Sequence, residues 1–205
     1  FYNCTLTAIP ATWEHLDNVT NTSEMFYGCR LLASIPSTFE HLSNVTNASG
    51  MFRYCAFDTL PSFTELINLT DASYMFGGCD NITTISNWTG LDNVTDTRAM
   101  FYNCDNLVSI PTTWTTLSKV TNMSWMFKDC YKLLNVGSDG YDILANVTNV
   151  GEMFAGSRQY MTITDNIEPL YTYLSSKPIT VVNHSDMFML CDNVPGYANI
   201  PADWK

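Results

Sequence analysis

The chain has 205 residues, enough for one compact domain or one elongated repeat array, and 46% of them are hydrophobic, enough to fill a core and to exclude a disordered chain. Only 14% are charged, with 20 acidic side chains against 9 basic ones and a net charge of −11, a balance that repels phosphate backbones and argues against nucleic acid as a partner. No apolar run is long enough to span a bilayer as a helix.

The chain opens on Phe1-Tyr2-Asn3-Cys4, which falls in the middle of a repeat, so a longer parent chain with flanking domains and a targeting signal is expected. From there Met-Phe recurs at Met25-Phe26, Met51-Phe52, Met75-Phe76, Met100-Phe101, Met126-Phe127, Met153-Phe154 and Met187-Phe188, in steps of 26, 24, 25, 26, 27 and 34 residues. Phe1 lies 25 before Phe26 and belongs to an eighth, truncated unit. Around each pair the same pattern returns, best formed at Leu91, Asn93, Val94, Thr95, Asp96, Met100, Phe101, Cys104, Leu107, Ile110, Pro111, Trp114 and Leu117. Units of this length cannot bury their apolar positions alone and must stack. The expected fold is therefore a leucine-rich-repeat-like solenoid over 1–205, with about eight coils, short parallel strands and little helix. Cys-x-x-Leu-x-x-Ile before Pro reads as one strand, and Val-Thr-(Asn/Asp) as a second extended piece whose Asn or Asp bonds neighbouring backbone.

The signature Val120-Thr121-Asn122-Met123-Ser124-Trp125-Met126-Phe127-Lys128-Asp129-Cys130 resembles the roughly 26-residue repeat of bacterial surface proteins grouped with the BspA-like leucine-rich repeats. The resemblance implies an extracellular setting, on a cell surface or on a virion as a phage structural protein such as a tail component. It implies adhesion or recognition, with a protein or glycan of a cell surface as the partner. It brings no catalytic residues and no cofactor, so an enzyme is not expected.

The columns have structural readings. Cys4, Cys29, Cys55, Cys79, Cys104, Cys130 and Cys191 share one slot, which Ser157 fills once, and parallel side chains in an odd number point to free buried thiols. Trp13, Phe39, Phe63, Trp88, Trp114 and Tyr141 read as buried wedges. The sequons, Asn44, Asn68, Asn93 and Asn146 among them, arise from the Asn-Val-Thr turn and read as a hydrogen-bonding ladder. Neither the Asp-Asn turns nor the Glu-His pairs at His15 and His41 have the spacing of a metal site.

Function is expected in the variable slots beside Met-Phe. Tyr54, Tyr74, Tyr102 and Trp125 occupy positions that elsewhere hold Gly, Ala or charge, and are the candidate ligand contacts. An irregular insertion at about 157–179 extends the set to Tyr171 and Tyr173, with a short helix over 166–176 placing Ile167, Leu170 and Leu174 on one face. Two readings stand: a binding module that recognises a host protein or surface glycan, or a passive spacer that holds another domain away from a surface.

Overall fold

The computed structural model describes residues 1–10, 16–36, 42–60, 66–85, 91–110, 117–134, 146–156, 168–176, 181, 183–192 and 194–205. The wedge column from Trp13 to Tyr141, the His15 and His41 pair and Ser157 lie outside them. The described residues form a solenoid of stacked coils.

Each coil is built from turns that begin at the Asn/Asp slot. The N–H groups of Ser23, Ser49, Ser73, Arg98 and Ser124 donate to Oδ1 of Asn21, Asn47, Asp71, Asp96 and Asn122 at 2.7–3.1 Å. This closes an Asx turn in coil after coil. Three residues beyond the Asx residue the backbone turns left-handed, with φ between 52° and 61° at Glu24, Gly50, Tyr74, Ala99, Trp125, Glu152 and Asp186. It does so again just before the Cys slot, with φ between 54° and 93° at Asn3, Gly28, Tyr54, Gly78, Asn103, Asp129, Gly156 and Leu190.

Between these two points the N–H groups alternate in direction. In the coil of Phe101, Met100 N–H and Tyr102 N–H close turns onto Thr97 O and Ala99 O at 3.1 and 3.0 Å. Ala99, Phe101 and Asn103 N–H instead reach the next coil, at Ser124, Met126 and Lys128 O, over 2.8–3.0 Å.

This geometry corrects the expected strands. Among the described residues the parallel pairing consists of isolated bridges, chiefly the series Asn21, Asn47, Asp71, Asp96, Asn122, Asn149 and Asn183, with Ala8 to Ser34 and Thr84 to Ser109 beside it. The Asx turn and two left-handed residues leave no room for a longer extended run. Cys-x-x-Leu is itself a turn, because Leu32 and Leu107 N–H bond to Cys29 and Cys104 O of their own coils at 2.9 and 3.0 Å. Side chains supply the missing cohesion. Thr46, Thr70, Thr95, Thr121 and Thr148 Oγ1 each donate to the threonine carbonyl of the preceding coil at 2.9–3.3 Å. Asn44, Asn68, Asn93 and Asn146 Nδ2 reach back to Asp17, Ser43, Ile67 and Ser118 O. Lys119, which replaces Asn in that slot, bonds to Asn93 Oδ1 instead, at 2.7 Å.

The core runs along the stack. Phe1, Phe26, Phe52, Phe76, Phe101, Phe127, Phe154 and Phe188 form one column of near-parallel rings with centroids 5.6–5.9 Å apart. All but Phe1 are fully enclosed. Beside them the cysteines are free, and all but the half-buried Cys4 are buried. Their thiols donate to the preceding coil's phenylalanine carbonyl, as Cys104 Sγ does to Phe76 O at 3.3 Å and Cys130 Sγ to Phe101 O at 3.1 Å. Burial pushes the Cys79, Cys130 and Cys191 thiols up to about 12. A thiol reagent at neutral pH is therefore expected to modify Cys4 first, with the other six reacting only on denaturation. Two or more native disulfides would contradict this packing.

After the coil of Phe154 the helix α1, Glu168–Ser176, forms as expected and buries Leu170 and Leu174. The final Ile200-Pro201-Ala202-Asp203-Trp204 folds over the coil of Phe188. Phe188 N–H bonds to Trp204 O at 3.0 Å, where earlier coils find the next methionine carbonyl. His184 stacks on the Trp204 ring with centroids 4.3 Å apart, and Tyr171 of α1 meets that ring edge-on at 5.1 Å. No helix among the described residues is long and apolar enough to cross a membrane.

Candidate functional site

The left-handed slots decide what the coil presents. An L-residue there costs about 1–2 kcal/mol relative to the right-handed region, while Gly escapes the penalty and Asn and Asp reduce it. Gly28, Gly50, Gly78, Asn103, Asp129 and Asp186 obey that preference. Glu24, Ala99, Glu152 and Leu190 do not, and neither do Tyr54, Tyr74 and Trp125, at φ 62°, 56° and 61°. Other side chains also occupy these slots, and what singles out Tyr54, Tyr74 and Trp125 is a bulky aromatic ring in a conformation that such residues rarely adopt, a pointer to function.

These rings form a ridge with basic side chains interleaved. Tyr2 stacks on Tyr27 with centroids 4.6 Å apart, and Tyr27 meets Tyr54 edge-on at 5.4 Å. Beyond Tyr54 the contacts pass through cations. The Arg53 guanidinium lies 4.9 Å from the Tyr54 centroid and 4.5 Å from that of Tyr74, and donates to Tyr54 Oη at 3.2 Å. Arg30 covers Tyr54 at 5.6 Å and Arg98 covers Tyr74 at 5.3 Å. Lys128 sits 4.9 Å over the Trp125 ring and pairs with Glu152 at 2.5 Å, while Trp125 Nε1 donates to the same carboxylate at 3.1 Å. Burial lowers the Lys128 ammonium, but the Glu152 hydrogen bond and charge outweigh it and leave the group above its ordinary value. Tyr102 is half-buried, its phenol raised by burial first and then by the Asp129 charge.

Tyr54, Tyr74 and Trp125 are likewise half-buried, not free-standing as their variable slots imply. The cations stacked on them account for the difference. Room for the Tyr54 ring comes from Gly78. A Cβ on Gly78 would clash with the edge of the Tyr54 ring at Cδ1, whereas one on Gly77 would lie at ordinary contact distance, 3.6 Å from Arg53 Cγ. Tyr171 and Tyr173 do not join the ridge; both are half-buried against the core, Tyr171 on Trp204. The sequence reading missed Tyr2, Arg30, Arg98 and Gly78. The scarcity of basic residues, 9 in the whole chain, was the available signal for the arginines.

Next to Arg30 and Tyr54, a recess of about 120 Å³ continues to Gly78, Asp80 and Asn81. Burial raises the carboxyls of Asp80, Asp105 and Asp129, with mutual repulsion adding to the rise at Asp105. Asp105 Oδ1 is buried without a hydrogen-bond partner. These groups bind protons more tightly folded than unfolded. Stability therefore falls as pH rises from the ordinary carboxylate value through their raised folded values, and is regained on acidification. The thermal midpoint is expected to rise as pH is lowered from neutrality towards the ordinary carboxylate value, with Asp105→Asn raising the neutral-pH midpoint and flattening the profile. An Asp105→Asn midpoint at or below that of wild type at neutral pH would contradict this.

Stacked turn-built coils with an interior Leu, Phe and Cys column and a decorated outer ridge define the class: a leucine-rich-repeat solenoid. The chain belongs to the family described as Mycoplasma protein of unknown function, DUF285, whose model matches residues 1–114 and 70–194. No curated protein matches it.

Among solved structures it is similar to a leucine-rich repeat protein from Eubacterium ventriosum, at 19% identity and a TM-score of 0.41 over 77% of this chain and 39% of that one. It is also similar to the leucine-rich repeat domain of the type III effector XopL, at 15% identity and a TM-score of 0.47 over 68% of this chain and 56% of that one. A third is a leucine rich cell surface protein from Faecalibacterium prausnitzii, at 20% identity and a TM-score of 0.41 over 73% of this chain and 35% of that one. The chain spans 39%, 56% and 35% of the lengths of these three.

Proposed function

We propose that the chain is a non-catalytic, extracellular binding module that uses the ridge of Tyr54, Tyr74, Tyr102 and Trp125 to recognise a partner on a cell surface. The observation that carries this reading is the placement of the bulky rings of Tyr54, Tyr74 and Trp125 in left-handed slots that other coils fill with non-aromatic residues: Gly, Asn, Asp, Glu, Ala or Leu. A passive spacer has no use for bulky rings there, and an even polar surface would serve it better. The rings and arginines are also the residue types enriched at interaction hot spots. Binding of the labelled protein to host cells, compared between wild type and the Tyr74→Ala, Trp125→Ala double variant, tests the reading. A loss of at least tenfold, equivalent to about 1.4 kcal/mol, is expected with folding intact. Unchanged binding by a folded double variant would favour the spacer.

A further inference from the structure

The basic side chains of this acidic chain are concentrated. Of the seven among the described residues, Arg30, Arg53, Arg98 and Lys128 lie over rings of the ridge. Lys128 is neutralised by Glu152. Among the described residues no carboxylate comes within ion-pair distance of the three guanidinium groups, although the chain has 20 acidic side chains. Arg53 is half-buried, with Nε enclosed and without a hydrogen-bond partner and Nη2 donating to Tyr54 Oη, so it offers only its remaining donors, while Arg30 and Arg98 are exposed.

Stacking occupies the flat face of a guanidinium and leaves its edge, where the N–H donors form the fork that matches a carboxylate. Two tyrosines link the three groups. Arg30 and Arg53 share Tyr54, and Arg53 and Arg98 share Tyr74. Because the tyrosine faces are already covered by cations, a neutral sugar has no open platform on them. A dense polyanion would meet the chain's net charge of −11. A segment with a few carboxylates on an otherwise neutral scaffold carries less charge for that repulsion to act on.

We infer that Arg30, Arg53 and Arg98 form a track for an extended polypeptide segment carrying Asp or Glu at alternate positions and little other charge. In an extended strand, residues two apart point to the same side about 7 Å from each other, so carboxylates at alternate positions form a row of acceptors on the side that faces the arginines. This rests on the ridge being the binding face and names what it binds.

The test is fluorescence anisotropy with the labelled peptide Gly-Ser-Glu-Ser-Glu-Ser-Gly and its counterpart with Gln for Glu. Wild type is expected to bind the Glu peptide at least tenfold more tightly. Arg53→Gln with Arg98→Gln is expected to abolish the preference, and Lys119→Gln, whose ammonium is held by Asn93, to keep it. Arg98→Gln alone, at an exposed site, is expected to reduce the preference and serves if the double variant fails to fold. Equal binding of both peptides by wild type, or a preference that survives in the folded arginine variants, overturns the inference. So does tighter binding of a glucuronate oligosaccharide than of the Glu peptide, which would make the partner a glycan. If cell binding is lost in the Tyr74 and Trp125 double variant while wild type ignores the Glu peptide, the ridge stands and only its partner has been misassigned.

Discussion

Replacing Phe101 with Ala is expected to remove about 3–5 kcal/mol of stability, the range for emptying a large buried aromatic site. The ring is fully enclosed and stacked on Phe76 at 5.9 Å and on Phe127 at 5.8 Å, so the cavity would interrupt the column in mid-array. Neighbouring coils provide almost all of a coil's contacts in a solenoid, and the stability of the whole is close to a sum over adjacent pairs. Weakening the two interfaces on either side of Phe101 is therefore expected to split a single denaturant transition into two. Phe101→Leu retains most of the volume and should keep one transition. A loss below about 1 kcal/mol for the alanine variant would mean that the column packs loosely and that the hydrogen-bond ladders hold the coils together.

The second large effect is expected at the end of the stack. Trp204 is 5% exposed and fits between His184 and Tyr171. Its carbonyl satisfies Phe188 N–H. Trp204→Ala is expected to cost about 3–5 kcal/mol locally and to release the segment that covers Phe188. Hydrogen exchange reads this directly: the Phe188 amide should lose its protection while Phe76 and Phe101 amides, bonded to Met100 and Met126 O, keep theirs. Unchanged exchange at Phe188 would mean that the closing contact is made by backbone alone.

Much of the fold was legible because the repeat shows each slot seven or eight times. The Cys column, the Asx turns, the Asn ladder and the helix burying Leu170 and Leu174 all followed from spacing and side-chain chemistry. The single-residue bridges did not. Their cause is the pair of left-handed slots, which hold Gly, Asn, Asp, Glu, Ala, Tyr and Trp by turns and so hide their backbone requirement. The same variety concealed the strain at Tyr74 and Trp125.

The candidate site was half legible. The aromatic residues stood out by type, but the placement of the Tyr54 ring depends on Gly78 in the next coil, where a Cβ would clash with it, a contact between residues about one repeat apart. Tyr171 and Tyr173 entered the set through the insertion that carries them, and α1 packs both against the core, Tyr171 on Trp204 at the closing end of the stack.

The central claim is that the ridge is kept for binding, not for folding, and Tyr74→Gly with Trp125→Gly tests it most directly. Glycine relieves about 1–2 kcal/mol of left-handed strain per site. Against that stand the lost cation–ring contacts, roughly 0.5–1 kcal/mol each, the lost hydrogen bond to Glu152 and the entropy of ordering glycine, about 0.5–1 kcal/mol. Unfolding and cell binding measured on this one variant should therefore show stability within about 1 kcal/mol of wild type and binding weakened at least tenfold. A variant that loses several kcal/mol, or that folds and binds as wild type does, would contradict the account.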